Sequence, residues 1–188
     1  TGFAVGANGT ILKTTDGGRS WQTVLQHQAG GVLLCFFDEN HIYCQNHNSL
    51  ALSANGGLTW QFDTLQLGQD EYIHVTSGNN NVAFAGDTVW VGTSTGRILR
   101  CTEYGKNCTF LEHNLLSDSL KISSIAFRDH QNGLFSFYSG KKIASTSDGG
   151  KTWEVLEGAP FGSNEDFFTA PILLECTKGD HGRGIWAV

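Results

Sequence analysis

Thr14-Thr15-Asp16-Gly17-Gly18-Arg19-Ser20-Trp21 returns twice along the chain, as Ser53-Ala54-Asn55-Gly56-Gly57-Leu58-Thr59-Trp60 and as Thr146-Ser147-Asp148-Gly149-Gly150-Lys151-Thr152-Trp153. Each copy sets a hydroxyl residue first, Asp or Asn two positions later, Gly at the fifth position and Trp at the eighth. A fixed octapeptide recurring at intervals of roughly 40–50 residues marks a repeat architecture and outweighs any single-site signal.

The octapeptide is built to lock a turn. The Asp or Asn oxygen can accept backbone N–H groups across the turn. Glycine supplies a positive φ without steric penalty, and the indole folds back to bury a large apolar area. The expectation is that Trp21, Trp60 and Trp153 lie buried beneath their own hairpins. Asp16, Asn55 and Asp148 then bond within their turns, and Thr14, Gly18, Ser53, Gly57, Thr146 and Gly150 complete the structural set. Acids of this kind shape a turn and are not catalytic.

A fourth copy is disguised. Cys101-Thr102-Glu103-Tyr104-Gly105-Lys106-Asn107-Cys108 keeps an acid, Glu103, at the Asp position and Gly105 in its place, while cysteine replaces both the hydroxyl residue and the Trp. A Cys101–Cys108 disulfide would do the work of the missing groups. Cys35 and Cys44 fall on neighbouring strands of another hairpin and form the second expected bridge, leaving Cys176 over. Disulfides place the chain in an oxidising compartment; the plainer alternative is five small buried hydrophobes.

Strand signals flank every copy. Ile11, Leu50, Ile98 and Ile143 each lie three residues before the octapeptide, and the pairs Asn8-Gly9, His47-Asn48, Thr95-Gly96 and Gly140-Lys141 mark hairpins just upstream. Before those come Phe3-Ala4-Val5, Ile42-Tyr43-Cys44, Val89-Trp90-Val91 and Leu134-Phe135-Ser136, with a further strand at Leu33 to Phe37 and Ile122 to Phe127. The pattern predicts an all-β chain, a β-propeller of four-stranded antiparallel blades. The units run approximately 1–25, 26–68, 69–115, 116–158 and a partial 159–188. About four blade periods are present. They either close as a small ring or form part of a larger propeller, and the larger propeller is the expectation. The chain opens on Thr1 without an initiator Met, in keeping with a processed or excised segment.

Composition agrees and excludes. Among 188 residues there are 24 Gly, 2 Pro, 12 Phe and 5 Trp, a mix suited to short strands and tight turns. A net charge of −6 argues against non-specific nucleic-acid binding. No apolar run approaches the roughly 20 residues that span a bilayer, so no direct membrane insertion is expected.

The stretch from Gly2-Phe3-Ala4-Val5-Gly6 through Trp21, and again from Asn132-Gly133-Leu134 through Trp153, resembles the bacterial and chloroplast photosystem II stability/assembly factors. That family pairs a G-(F/Y)-A-V-G strand with a T-x-D-G-G-x-T-W turn, the Asp box (BNR repeat). The second and third units depart from the pattern, with His and Asn in a turn and Cys in a box. The resemblance implies a soluble lumenal or periplasmic scaffold that binds a partner protein through Arg-rich positions between blades. The chain has only Arg19, Arg97, Arg100, Arg128 and Arg183. Trp90, Arg97, Arg100 and the 61–72 insertion are the candidate partner-binding residues.

Asp boxes also occur in sialidases, xyloglucan-type glucanases and sortilin-type sorting receptors, so they identify a fold better than a function. A glycan-active propeller, whether hydrolase or lectin, is the first alternative, and a receptor ectodomain the second. Glycosidases need two facing carboxylates or a Tyr with an acidic partner. Asp70-Glu71 and Glu165-Asp166 are the acidic pairs in inter-strand loops, and solvated loop charge is the commoner explanation. His41, Cys44 and His47 do not make a metal site, because Cys44 points to the opposite face of the strand. Gly179 to Gly184 reads as a turn. Asn8 and Asn107 head glycosylation sequons. Neither metal nor cofactor is expected.

Overall fold

The computed structural model describes residues 1–6, 9–26, 33–36, 38–46, 48–73, 81–111, 115, 122–137, 143–156, 174–179 and 182–187. They form antiparallel sheets in chain order. Blade 1 holds β1 (Gly2–Val5), β2 (Thr10–Thr14) and β3 (Gln22–Gln26); blade 2 holds β4 (Leu33–Phe36), β5 (Ile42–Asn46), β6 (Ser49–Ser53) and β7 (Gln61–Thr64). Blade 3 holds β8 (Val82–Ala85), β9 (Thr88–Gly92), β10 (Ile98–Thr102) and β11 (Asn107–Leu111). Blade 4 holds β12 (Ile122–Phe127), β13 (Gly133–Phe137), β14 (Ile143–Thr146) and β15 (Glu154–Val155), and β16 (Leu174–Gly179) pairs with β17 (Gly182–Ala187). Each strand pairs with its sequence neighbour, the meander of a propeller blade. No α-helix occurs among the described residues.

The apolar positions that precede each octapeptide explain the layering. Ile11, Leu50, Ile98 and Ile143 are all buried on the third strand of their blades (the second described strand in blade 1). Because side chains alternate across a strand, a central strand feeds two seams at once. Val89 and Val91 pack with Tyr43, Leu50 and Leu99 toward blade 2, while Trp90 between them packs with Ile125, Phe127 and Trp153 of blade 4. A third cluster joins Ile11 and Val24 of blade 1 to Cys44, Ala51 and Trp60 of blade 2. The core is thus a series of seams between blades.

The seams correct one expectation. Trp153 is 3% exposed, Trp60 is half-buried, and Trp21 is 46% exposed. Each indole nitrogen donates to a glycine carbonyl of its own turn, Gly18, Gly57 or Gly150. The cover of the ring, however, comes from outside its turn. Trp60 also donates to the Val24 carbonyl on β3, 3.1 Å away, and Leu111 of β11 packs against the cluster that holds Trp153. No earlier strand lies beside Trp21 among the described residues, so its ring stays half open. The hairpin alone does not bury the Trp; Trp153 is covered by Phe127 and Phe135 of its own blade together with Leu111 of the blade before.

The cysteines divide. Cys101 stands directly opposite Cys108 on β10 and β11, and the two are joined by a disulfide. The expected Cys35–Cys44 bridge does not form. Leu34, not Cys35, is the residue opposite Cys44, so the two cysteines are offset by one position and belong to opposite faces. Cys44 is a free thiol in the apolar seam between blades 1 and 2, where burial pushes its pKa up to about 12. The side chains of Cys35 and Cys176 lie outside the described residues.

Candidate functional site

The repeated turns commit their acid or amide and their leading hydroxyl to bonds within the turn. In blade 1 the Asp16 Oδ1 accepts the N–H groups of Arg19 and Ser20, both at 2.9 Å, and the Ser20 hydroxyl donates to Oδ2. Asp148 repeats this with Lys151, Thr152 and the Thr152 hydroxyl. Asn55 accepts the Thr59 N–H and donates to the Thr59 hydroxyl. The leading hydroxyl works both ways: Thr14, Ser53 and Thr146 donate to the acid or amide and accept the N–H of Gly18, Gly57 or Gly150. Those glycines sit at φ of 85–93°, where a side chain would be strained. Bonds from the Ser20 hydroxyl and N–H, then from Thr14, hold Asp16 well below the usual carboxylate range. For Asp148 burial pushes the other way, but the Thr152 and Thr146 bonds prevail and leave its pKa at about 2. Carboxylates committed to this degree are poor proton shuttles.

The third unit is locked differently. Glu103 is exposed; its carbonyl accepts the Lys106 N–H at 3.4 Å, but its carboxylate takes none of the turn's N–H groups among the described residues, and it and Tyr104 adopt positive φ of 52° and 59°. The Cys108 sulfur contacts the Gly105 carbonyl at 3.4 Å, the place the indole nitrogen occupies elsewhere. Gly105 abuts Leu52 and Tyr43 of blade 2 so closely that an added Cβ would stand 2.6 Å from Leu52 Cδ2. Asn107 is exposed beside the disulfide; Asn8 lies outside the described residues.

A second turn recurs outside the octapeptides, one that the sequence reading did not single out. Asp38 accepts the N–H groups of Asn40 and His41, and Asp129 accepts those of Gln131 and Asn132. The carbonyls of Asn40 and Gln131 then accept the N–H of Gly56 and Gly149, tying this turn to the octapeptide of the same blade. The signal was an Asp followed two and three residues later by polar side chains, in Asp38-Glu39-Asn40-His41 and Asp129-His130-Gln131-Asn132.

The candidate partner residues do not act together. Trp90 is fully buried, stacks on Phe127 with ring centroids 3.8 Å apart, and donates to the Gly149 carbonyl. It can hold a seam but cannot touch a partner, and this corrects the expectation. Arg97 is committed to Glu71, whose side chain is 1% exposed, and its guanidinium lies 3.8 Å from the Phe110 ring centroid. Burial pushes the Glu71 pKa up, but Arg97, the Gly68 N–H and the Thr93 and Thr95 hydroxyls bring it to about 2. The 61–72 insertion is strapped down by this pair and by Tyr72 and Ser94, which bond through two contacts. Of the acidic pairs, Asp70-Glu71 has Glu71 tied up structurally while Asp70 is exposed, and Glu165-Asp166 lies outside the described residues.

Arg100 differs. It runs beside Trp90 at the seam of blades 3 and 4, within 5.8 Å of that ring, and its Nε is buried without a hydrogen-bond partner. Lys13 holds the corresponding place at the seam of blades 1 and 2, where it donates to the Gly56 carbonyl at 2.6 Å. No group of three or more His, Cys, Asp or Glu is placed to hold a metal among the described residues.

Comparison with known proteins puts this geometry in context. No family model matches the sequence. The chain is 24% identical over 159 residues to the photosystem II assembly lipoprotein Ycf48 of Synechococcus sp. (strain CC9902), covering 81% of this chain and 45% of that protein. The chain shares its fold with Ycf48. A structure of YCF48 bound to D1 peptide superposes with a TM-score of 0.53 at 24% identity, over 66% of this chain and 38% of that one. YCF48 from Cyanidioschyzon merolae gives 0.60 at 14% identity, over 82% and 55%. The chain spans about half the length of these Ycf48 proteins or less.

Proposed function

We propose that the chain is a non-enzymatic, protein-binding scaffold of the photosystem II assembly-factor kind, working outside the cytosol. The observation that carries the reading is the likeness to Ycf48 over 81% of the chain; one Ycf48 structure holds a D1 peptide. The geometry supports it in two ways. The repeated acids Asp16 and Asp148 are consumed by their own turns, which takes them out of glycoside chemistry. Arg100 is half-buried and has no ion pair among the described residues, which leaves it the candidate residue for a partner to engage. The Cys101–Cys108 bridge supports an oxidising compartment.

The test is capture of partners from native membranes by the wild-type protein and by Arg100→Glu, with the recovered proteins identified by mass spectrometry. A subunit of a membrane complex should be retained by the wild type and lost by the folded variant. Recovery of the same abundant background proteins by both would overturn the reading.

A further inference from the structure

The fourth place of the octapeptide is glycine in blades 1, 2 and 4, where Gly17, Gly56 and Gly149 stand at φ of 75°, 66° and 77°. Blade 3 puts Tyr104 in that place at φ 59°, directly after Glu103 at 52°. The left-handed region crowds the Cβ of an L residue against its own backbone, so two side chains in succession are strained where glycine would not be. Strain of this kind persists only where the surroundings impose it.

In blade 3 the imposing groups are not those of the other turns. Cysteine stands in place of the leading hydroxyl and of the indole, and the Glu103 carboxylate takes none of the turn's N–H groups among the described residues. The backbone contributes the Gly105 N–H to the Thr102 carbonyl at 3.1 Å, the Lys106 N–H to the Glu103 carbonyl at 3.4 Å, and the Tyr104 N–H to the Asp87 carbonyl at 2.8 Å. The covalent closure is the Cys101–Cys108 disulfide. A turn held in this way serves the seam with blade 2. The Tyr104 ring stacks on His41 with centroids 3.7 Å apart and planes at 13°, and Gly105 seats against Leu52 and Tyr43.

The strands beneath do not depend on the bond. β10 pairs with β11 from Ile98–Leu111 to Thr102–Asn107, and with β9 on its other side. Loss of the bond therefore frees the turn and leaves the blade. The two sulfurs are also unequal: Cys101 is fully buried in the seam, whereas Cys108 on the outer strand is only half-buried.

We propose that the Cys101–Cys108 disulfide is a redox latch on the seam between blades 2 and 3, opened by a dithiol reductant acting at the Cys108 sulfur. A thiolate of the reductant attacks Cys108 Sγ, forms a mixed disulfide and expels Cys101 as a thiolate, which its buried setting converts to the thiol by uptake of a proton. The reductant's second thiol then closes its own disulfide and releases Cys108, which takes the second proton. The protein gains two electrons and two protons, and the dithiol loses them. Glu103 and Tyr104 then leave the left-handed region, and Tyr104 withdraws from His41. This latch does not rest on the scaffold reading and is tested apart from it.

The test is limited trypsin digestion of the folded 188-residue protein, oxidised and after dithiothreitol, with cuts after the exposed Lys106 counted once the samples are denatured and fully reduced. Cleavage of a folded chain follows the population of its open form, so reduction should speed the Lys106 cut about tenfold or more. Cys101→Ser combined with Cys108→Ser should be cut at the fast rate without reductant and should not respond to dithiothreitol, which sets the other cysteines aside. Glu103→Asn suits the left-handed region better and leaves the Tyr104 ring in place, so its gain on reduction should be smaller. The His41 ring protons, followed by nuclear magnetic resonance, should shift on reduction as the stack opens. A Lys106 cut or His41 signals that ignore reduction, a double serine variant cut no faster than the oxidised protein, or an undiminished gain in Glu103→Asn would each overturn the latch. Loss of the whole circular dichroism spectrum on reduction would overturn it too, by making the bond a staple for the entire fold.

Discussion

Replacing Trp153 and Trp21 by Ala, one at a time, tests whether the seams rather than the hairpins hold the indoles. The two residues share a sequence motif and the same bond to a turn carbonyl, 2.9 Å from Trp153 to Gly150 and 3.1 Å from Trp21 to Gly18. They differ in cover. Trp153 is 3% exposed and packs edge-on against Phe127 and Phe135, whereas Trp21 is 46% exposed. A Trp ring buries about 200 Å², which at about 25 cal/mol/Å² corresponds to ~5 kcal/mol. Loss of Trp153 should therefore cost about 3–5 kcal/mol, the usual range for a large core truncation. Trp21, with close to half its surface already in water, should cost about 2 kcal/mol. In a chain of this size that separates the melting points: Trp153→Ala should lower Tm by roughly 6–20 °C and Trp21→Ala by much less. The assay is urea and thermal unfolding followed by far-ultraviolet circular dichroism. Equal losses would refute the reasoning, since they would mean that each hairpin shelters its own indole.

Other outcomes follow from the same contacts. Arg97→Ala strips the countercharge from the buried Glu71 carboxylate and should cost about 3–5 kcal/mol; Glu71→Gln in the same background should recover part of it, read by urea unfolding. Asp148 and Glu71, each held at about 2, have folded pKa values below those of the unfolded chain. Their stabilisation is complete above the unfolded pKa near 4 and is lost as pH falls through 2. The urea midpoint should thus be flat above pH 5 and decline between about pH 4 and 2, and a midpoint that stays level to pH 2 would contradict the turn bonds. Cys44, buried with its pKa at about 12, should resist iodoacetamide until the protein unfolds, while peptide mapping without reductant should recover Cys101 and Cys108 in one linked fragment.

The sequence was most readable where one segment decides its own shape. The octapeptides announced their Asp–N–H bonds, because all partners lie within seven residues, and the apolar residue three places earlier marked the buried strand. What escaped depends on another segment. Burial of Trp60 requires Val24 on the preceding blade, and nothing local distinguishes Trp60 from Trp21. The Arg97–Glu71 pair spans 26 residues and two elements, so Arg97 looked available and was not. Trp90 stood among the candidate partner-binding residues, whereas every residue of its strand is buried between two seams. The Cys35–Cys44 pairing failed by one residue of register, which a hairpin sequence alone does not fix.

The position just before each octapeptide carries a further consequence. Lys13 in blade 1 reaches the turn glycine of blade 2, Leu52 in blade 2 meets that of blade 3, and Arg100 in blade 3 lies beside that of blade 4. A long cation therefore precedes a Gly-Gly turn, and an apolar side chain precedes the disulfide turn. The repeats are alike as shapes but unlike as neighbours. Transplanting the Cys101–Cys108 hairpin into blade 4 would set it against Arg100 in place of Leu52, and moving the Asp148 turn into blade 3 would leave its glycine carbonyl facing a methyl group. Duplicated units of this kind diverge in pairs, each mutation in a turn constraining a residue inherited in a different copy, so that the order of the blades becomes as fixed as their fold.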